Sequence, residues 1–443
     1  MAGLLGLAVA CVVVALTLAE GVVAARGWDH VPIRARPGLD REMVRSEFSV
    51  RVVTNALGFR EPRLPAPKAP GTVRIVVVGD SFTQGYGVAE EQAYPRRLEA
   101  LLRARADDPR YEVVNLGVPG ACPLDYVHHV RDPGLAYEPD VVVVGLMAND
   151  VHDVHLLRRD RVRGALELVK AVRAEMYETP AWRRLARKAW PALHDVAGRT
   201  LATLRPRQAL ESRGEAARAG AASPAEWAWR DVLLEIAERQ GRRTEVAQAL
   251  DELAPHEQAM LRDVITGAWQ IEEHVDQTPA YLLRRIVAPR AHLDAVLLGD
   301  EYEDAWRETT EALREIDRVA RAAGARTVIV FIPAGHQVND ASDGFFARLG
   351  FPTDARTLQD RTFADRVERF GAEHGIAVVD LLAPLGERAA EPLYFVEDRH
   401  WTPLGHAVAA DTLAGAVSWP RPGGARESVR RGHGAASRLA PAS

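Results

Sequence analysis

Cysteine is nearly absent from this chain: its 443 residues include two, Cys11 and Cys122. Cys11 lies in an apolar N-terminal stretch, so a disulfide framework does not underlie the fold and no cysteine metal site can be assembled. Net charge is also scarce. Against 61 acidic residues stand 56 Lys and Arg, a balance of −5, and no long basic block interrupts the body of the chain. That speaks against nucleic acid as a partner. No fixed-period repeat is visible, although short helical patterns around 226–275 could pair like a repeat array. No Lys or Arg precedes the apolar run at the N-terminus, where a cleaved signal peptide would carry one.

What is present is material for a core. Apolar residues make up 47% and charged residues 26%, a globular composition. The length allows one large domain with an insertion, or two to three ordinary ones. "GLLGLAVACVVVALTLAEGVVAA" (3–25) is apolar except for Thr17 and Glu20. It is long enough to span a bilayer with Glu20 near one interface, and an uncleaved anchor is the favoured reading over a signal peptide. Arg26, Arg34 and Arg36 follow it, which by the positive-inside rule would keep the body cytoplasmic. Residues 26–70, with the proline-rich "RLPAPKAPG", read as a linker and lead-in with some short ordered elements.

From residue 73 a strand–helix alternation begins. "VRIVVVG" (73–79), "YEVVNLG" (111–117), "PDVVVVGLM" (139–147), "ARTVIVFIP" (325–333) and "IAVVDL" (376–381) read as strands. Helical spacing at 94–106, 303–323, 360–374 and 404–417 separates or follows them. Apolar runs with no polar alternation belong to parallel strands buried on both faces, so the expectation is a parallel sheet with helices on either side, over 71–154 and 301–420. Between them, 155–300 is rich in Ala, Arg, Leu and Glu and reads as a helical insertion. In "SPAEWAWRDVLLEIAERQG", Ser223, Pro224, Glu226 and Gly241 mark a helix start and stop. Its tryptophans are expected in a core, with sugar stacking as the alternative. The tail, 421–443, has too few apolar residues to order itself.

The chemistry collects at the strand ends, where open parallel sheets bind ligands. Ser81 follows the first strand directly in "IVVVGDSFTQGYG". Gly120 follows the second and can bring a backbone N–H close to a bound group. Asn149 follows the third, and its carboxamide can donate to a developing oxyanion. His400, in "YFVEDRHWTPLGH", precedes a helix starting at Thr402 and Pro403, and Asp398 two residues earlier can hold the imidazole in one tautomer. Together these supply nucleophile, base, orienter and oxyanion donors, which acyl transfer needs without a metal or other cofactor.

In this order the motifs resemble the SGNH (GDSL-type) hydrolase superfamily: "GDS" at Ser81, the glycine block at Gly120, "ND" at Asn149 and the Asp/His block at Asp398 and His400. The resemblance covers 73–150 and 325–418. It implies a three-layer α/β/α, flavodoxin-like fold with a five-stranded parallel sheet, here carrying the helical insertion and an N-terminal transmembrane helix. The third block departs from Gly-x-Asn-Asp, because Ala148 precedes Asn149 and the glycine is Gly145. The last block departs from Asp-x-x-His, because Glu397 stands three residues before His400. "DRHWTP" is more similar to the Asp-x-His-Trp block of alginate acetyltransferase-type members, in which that block precedes the serine. Asp398 is therefore the expected orienter and Glu397 the alternative.

"VVTNALGFREP" (52–62) resembles a segment ahead of the serine block in membrane-anchored bacterial members, which mostly act outside the cytoplasmic membrane on glycan O-acyl groups. This implies an extracytoplasmic body, an acylated glycan, lipid or small molecule as substrate, and a membrane O-acyltransferase as a candidate partner. Asp80, His336 and Trp401 are candidate substrate contacts. The rival enzyme is a metal-dependent phosphoesterase using Asp80, Asp150, His152 and His155. A non-catalytic glycan-binding or scaffold protein of the same fold is the rival class. His128 and His129 are expected at the surface, and His406 in a helix near the site. The insertion leaves the sheet just after Asn149, so it is expected as a lid or wall at the site.

Overall fold

The structure, a computed structural model, describes residues 14–19, 32–160, 164–173, 176, 189, 228–270, 274–341 and 343–423. Most of the 3–25 segment and the tail beyond 423 lie outside them. So do Ser223, Pro224 and Glu226. No helix among the described residues is long and apolar enough to cross a membrane.

Five parallel strands form the central sheet: β3 (Val73–Gly79), β4 (Tyr111–Gly117), β5 (Val141–Met147), β6 (Arg326–Ile332) and β7 (Ala377–Asp380), in the spatial order β4-β3-β5-β6-β7. Every residue of β3 is buried, and β5 is buried except at its last residue, as β-branched runs covered on both faces must be. The helices α2 (Tyr94–Ala106) and α16 (Pro403–Ala416) pack together as one outer layer. On the other, α3 (Pro123–Arg131) and α4 (Ala148–Asp160) pack on α11 (Glu303–Ala322), and α14 (Thr362–His374) covers β6 and β7. The strand order reverses between β3 and β5, so the residues that follow these two strands face one crevice.

A four-residue helix, α1 (Ser81–Gln84), lies directly across the strand ends. It fits because Gly117 and Gly145 leave room. A Cβ on Gly117 would stand 2.4 Å from the Gln84 nitrogen, and one on Gly145 would stand 2.6 Å from Thr83 Oγ1. Gly145, which looked like a displaced motif glycine, is the seat of the helix that carries Ser81.

The insertion forms its own core. Helices α5 (Ala165–Arg173), α6 (Ala228–Arg239), α7 (Arg243–Glu252), α8 (Pro255–Thr266) and α9 (Thr278–Val287) bury Val169, Trp229, Leu233, Leu261, Leu283 and Ile286 in a cluster separate from that of the sheet. Trp229 is thus a core residue. Four shorter helices lie among these elements: α10 (Ala291–Leu297), α12 (Gly335–Val338), α13 (Asp343–Arg348) and, after β7, α15 (Leu382–Gly386).

The lead-in carries ordered elements. Residues 40–53 form an antiparallel hairpin of β1 (Asp40–Val44) and β2 (Ser49–Val53), and the following loop buries Phe59, Arg60 and Glu61. Arg60 donates to the Gly85 carbonyl at 2.7 Å, the C-terminal end of α1. The Glu61 carboxylate accepts from Arg63, from Arg96 of α2 and from the Asn115 N–H of β4. Charged residues in "GFREP" therefore staple this segment to the first strands and to the serine's helix.

Candidate active site

Ser81 opens α1, so its N–H has no intrahelical acceptor and faces the crevice beyond the strands. Asp80 caps the helix, accepting from the Phe82 N–H at 2.9 Å. The loop before α16 brings His400 to the same edge. Ser81 Oγ donates to His400 Nε2 at 2.7 Å, and His400 Nδ1 donates to Asp398 Oδ1 at 2.5 Å. A carboxylate only accepts, so Asp398 fixes the tautomer with the proton on Nδ1 and leaves Nε2 basic. Burial pushes the Asp398 carboxyl up, but the charge and hydrogen bonds of His400 outweigh it and hold it below the ordinary value. The imidazole lies between two rings, 4.9 Å from Phe82 and 4.6 Å from Tyr86, centroid to centroid. With these contacts 21% of the side chain remains exposed.

Glu397 goes elsewhere: its carboxylate accepts from Ser46 Oγ. Asn149, at the start of α4, donates through Nδ2 to Asp80 Oδ2 at 3.0 Å, which leaves the second Nδ2 hydrogen for an oxyanion. Gly120 sits in the turn after β4 at φ +72°, a conformation open to glycine, and a Cβ there would meet only Ile33 at 4.0 Å.

Three candidate substrate contacts are corrected by burial. Asp80 is 1% exposed and is committed to Phe82 and Asn149. Burial raises its carboxyl, against the Asn149 bond and His400. Trp401 is completely buried, edge-on to Phe82 at 5.0 Å, and packs in the core rather than offering a substrate surface. His336 is 4% exposed at the start of α12, and burial, followed by Arg399, depresses its ring to about 3. His129, expected at the surface, is fully buried and donates through Nε2 to the Ile33 carbonyl at 2.8 Å. His406 lies in α16 beside Trp401, as expected.

The metal reading loses its ligands. Asp150 accepts from the Tyr126 hydroxyl at 2.6 Å and the Met147 N–H at 2.8 Å. Burial and then Asp80 push its carboxyl well up. His152 pairs with the Tyr302 hydroxyl at 3.0 Å, and His155 packs on that ring. These side chains are structural supports of α4.

Two contacts escaped the sequence. Glu47, at the β1–β2 turn, accepts the N–H groups of Val396, Glu397 and Asp398. Tyr281, on α9 of the insertion, donates to the Glu397 carbonyl at 3.0 Å. No spacing rule reaches from 47 or 281 to 397, so no local signal could have found either.

Two family models match adjacent parts of the chain: the GDSL-like lipase/acylhydrolase family over residues 77–295, and the SGNH hydrolase-like domain of the acetyltransferase AlgX over 294–431. Among solved structures, a catalytic mutant of an acetylxylan esterase from Geobacillus stearothermophilus is 12% identical. It covers 80% of this chain and 98% of its own, with a TM-score of 0.34. An alpha/beta hydrolase enzyme from the metagenome of Lake Arreo, Spain, is 14% identical, covers 79% of this chain and 97% of its own, and has a TM-score of 0.31. No curated protein matches the chain.

Proposed function

Because the chain belongs to the SGNH (GDSL-type) hydrolase superfamily, we propose that it is a serine-dependent ester hydrolase or O-acyltransferase with Ser81, His400 and Asp398 as its reacting line. The observation that carries this is the unbroken path from Ser81 Oγ through His400 to Asp398, at 2.7 and 2.5 Å. His400 Nε2 takes the Ser81 proton as Oγ bonds to the ester carbonyl carbon, and the carbonyl electron pair moves onto oxygen. The N–H groups of Ser81 and Gly120 and the second Asn149 Nδ2 hydrogen stabilise that oxyanion. Its collapse breaks the ester bond, and the leaving alkoxide takes the proton from His400. Water or an acceptor alcohol then gives its proton to His400 as its oxygen bonds to the acyl carbon; the acyl–Oγ bond breaks, and Ser81 Oγ takes the proton back from His400. The two outcomes use the same residues and differ in how well water is kept out.

The acyl group is proposed to be acetyl, on a glycan or lipid outside the cytoplasmic membrane. The match to an acetyltransferase-type domain over 294–431 supports acetyl, and the resemblance of 52–62 to membrane-anchored bacterial members supports the location. A membrane O-acyltransferase is the proposed donor partner. The insertion is proposed to wall the acceptor side, supported by the contact of Tyr281 with residue 397 beside the catalytic histidine. The test is labelling of the full chain with a fluorophosphonate, with mass mapping. Wild type is expected to carry the label on Ser81, with Ser81→Ala unlabelled and without arylacetate esterase activity. Equal labelling or turnover by both proteins would overturn the reading.

A further inference from the structure

The loop that carries Asp398 and His400 is held in an unfavourable shape. Arg399, between them, has φ +71°, a left-handed conformation that a side chain with a Cβ rarely adopts. The loop closes on itself through Phe395 N–H to the His400 carbonyl at 2.9 Å and Arg399 N–H to the Phe395 carbonyl at 3.1 Å. Those two bonds leave the N–H groups of 396, 397 and 398 on one side of the turn. All three converge on a single carboxylate. Glu47 Oε1 accepts from Val396 at 2.6 Å, and Oε2 accepts from Glu397 and Asp398 at 2.9 Å each. Successive N–H groups turned to one point form a concave anion site, and here the anion comes from the chain itself, 351 residues away in sequence from Asp398. Bonds to an ionised acceptor are about twice as strong as neutral ones.

We propose that Glu47 is a positioning residue for the Asp398–His400 pair: its carboxylate is the anion around which the turn 396–398 is built. The proposal rests on the reading of Ser81, His400 and Asp398 as the reacting groups. Glu47 touches neither His400 nor Ser81 and acts through the backbone of residue 398. Neighbouring contacts hold the same turn. Ser46 holds the Glu397 side chain from the same hairpin turn, and Tyr281 holds the Glu397 carbonyl from the insertion. The hairpin, which has its own two strands apart from the central sheet, thus has a task that its sequence position does not suggest.

Charge is part of this device. Arg45 and Glu47 face the pair from the hairpin, Asp80 and Tyr86 from α1 and its exit, Tyr281 from α9, His406 from α16, and Glu397 and Arg399 from the loop itself. Removing Glu47 deletes one nearby negative charge and releases a second, Asp398, from its place beside the imidazole.

Three variants of the full chain test this: Glu47→Gln, Glu47→Asp and Glu47→Ala. Gln keeps the shape but sets an NH2 group against backbone donors. Asp keeps the charge and retracts it by one methylene. The rate of Ser81 labelling by a fluorophosphonate and the kcat for an arylacetate are expected to fall about 10²-fold in Gln and Ala, the loss that roughly 1 Å of misplacement brings. KM is expected to stay within about twofold, since no substrate contact is removed. Asp is expected to recover part of the rate. An independent readout is the low-field proton resonance of His400 Nδ1–H on Asp398, expected to be lost in Gln and regained in part in Asp.

Wild-type labelling rate and an unchanged resonance in Glu47→Gln would overturn the proposal. So would a loss that only follows the fraction unfolded. An unlabelled wild type whose resonance still depends on Glu47 would instead overturn the function assigned to Ser81 and leave the positioning role standing.

Discussion

A serine hydroxyl is a weak nucleophile until a base takes its proton, and a histidine is a useful base only if one nitrogen is held free of hydrogen. Asp398 provides that condition here by accepting from Nδ1. The oxyanion side depends on an amide that is itself oriented by a carboxylate, because Asn149 Nδ2 is anchored on Asp80 Oδ2. Asn149→Ala is expected to lower kcat by about 10²–10³, with little change in KM, in an arylacetate assay. A variant at wild-type kcat would remove Asn149 from the oxyanion site. Of these residues, Ser81, Asn149 and His400 are legible in sequence because each follows a strand or precedes a helix start. Asp80 was legible in position but not in role, since its bond to Asn149 joins residues 69 apart.

The elements divide between those whose formation is local and those whose placement is not. The helix over 94–106 has its predicted bounds because its apolar spacing and Pro95 at the first turn are properties of the segment. The short α1 owes its place to vacant space above Gly117 and Gly145, which no window of sequence contains. The lead-in loop owes its order to Glu61, whose carboxylate serves Arg63, Arg96 and the Asn115 N–H together. Burial raises the Glu61 carboxyl, and Arg63 opposes that rise. Glu61→Ala leaves two guanidinium groups and a strand N–H without this acceptor. It is expected to cost about 3–5 kcal/mol in a urea unfolding measurement, the range for breaking a buried pair from one side. A loss below about 1 kcal/mol, the level of an exposed pair, would show that the lead-in is only loosely held.

At the scale of the whole molecule, a buried histidine ties stability to pH. Burial, opposed by Asp125, depresses His129 to about 4 from an ordinary value of 6.5. Between those values the unfolded chain takes up a proton that the folded chain refuses, so this site lowers stability as pH falls, by up to about 1.4 kcal/mol per pH unit. Above 6.5 both states are neutral there and the site contributes no pH dependence. His129→Gln is expected to remove this component. The stability advantage of wild type over the variant should shrink steadily from pH 6.5 to 4 in urea midpoints, and parallel curves would refute the assignment. His406, which burial depresses to about 3, acts in the same direction.

Sequence by itself determined the alternating strands and helices, the parallel sheet and the rim positions of Ser81, Asn149 and His400. Strand burial and helix starts are written in neighbouring residues, and the end of a strand is a fixed place in such a sheet. Only the tertiary structure decided which carboxylate serves His400, since Asp398 and Glu397 are adjacent in the chain and are separated by where the turn points them. It also decided that Trp401 and His336 are buried and that the lead-in is fastened to the first strands by Arg60 and Glu61. Glu47 and Tyr281 lie far from residue 397 in sequence. Their bonds exist because packing closes the hairpin and the insertion against one loop, and such long-range closure leaves no periodic trace in the chain.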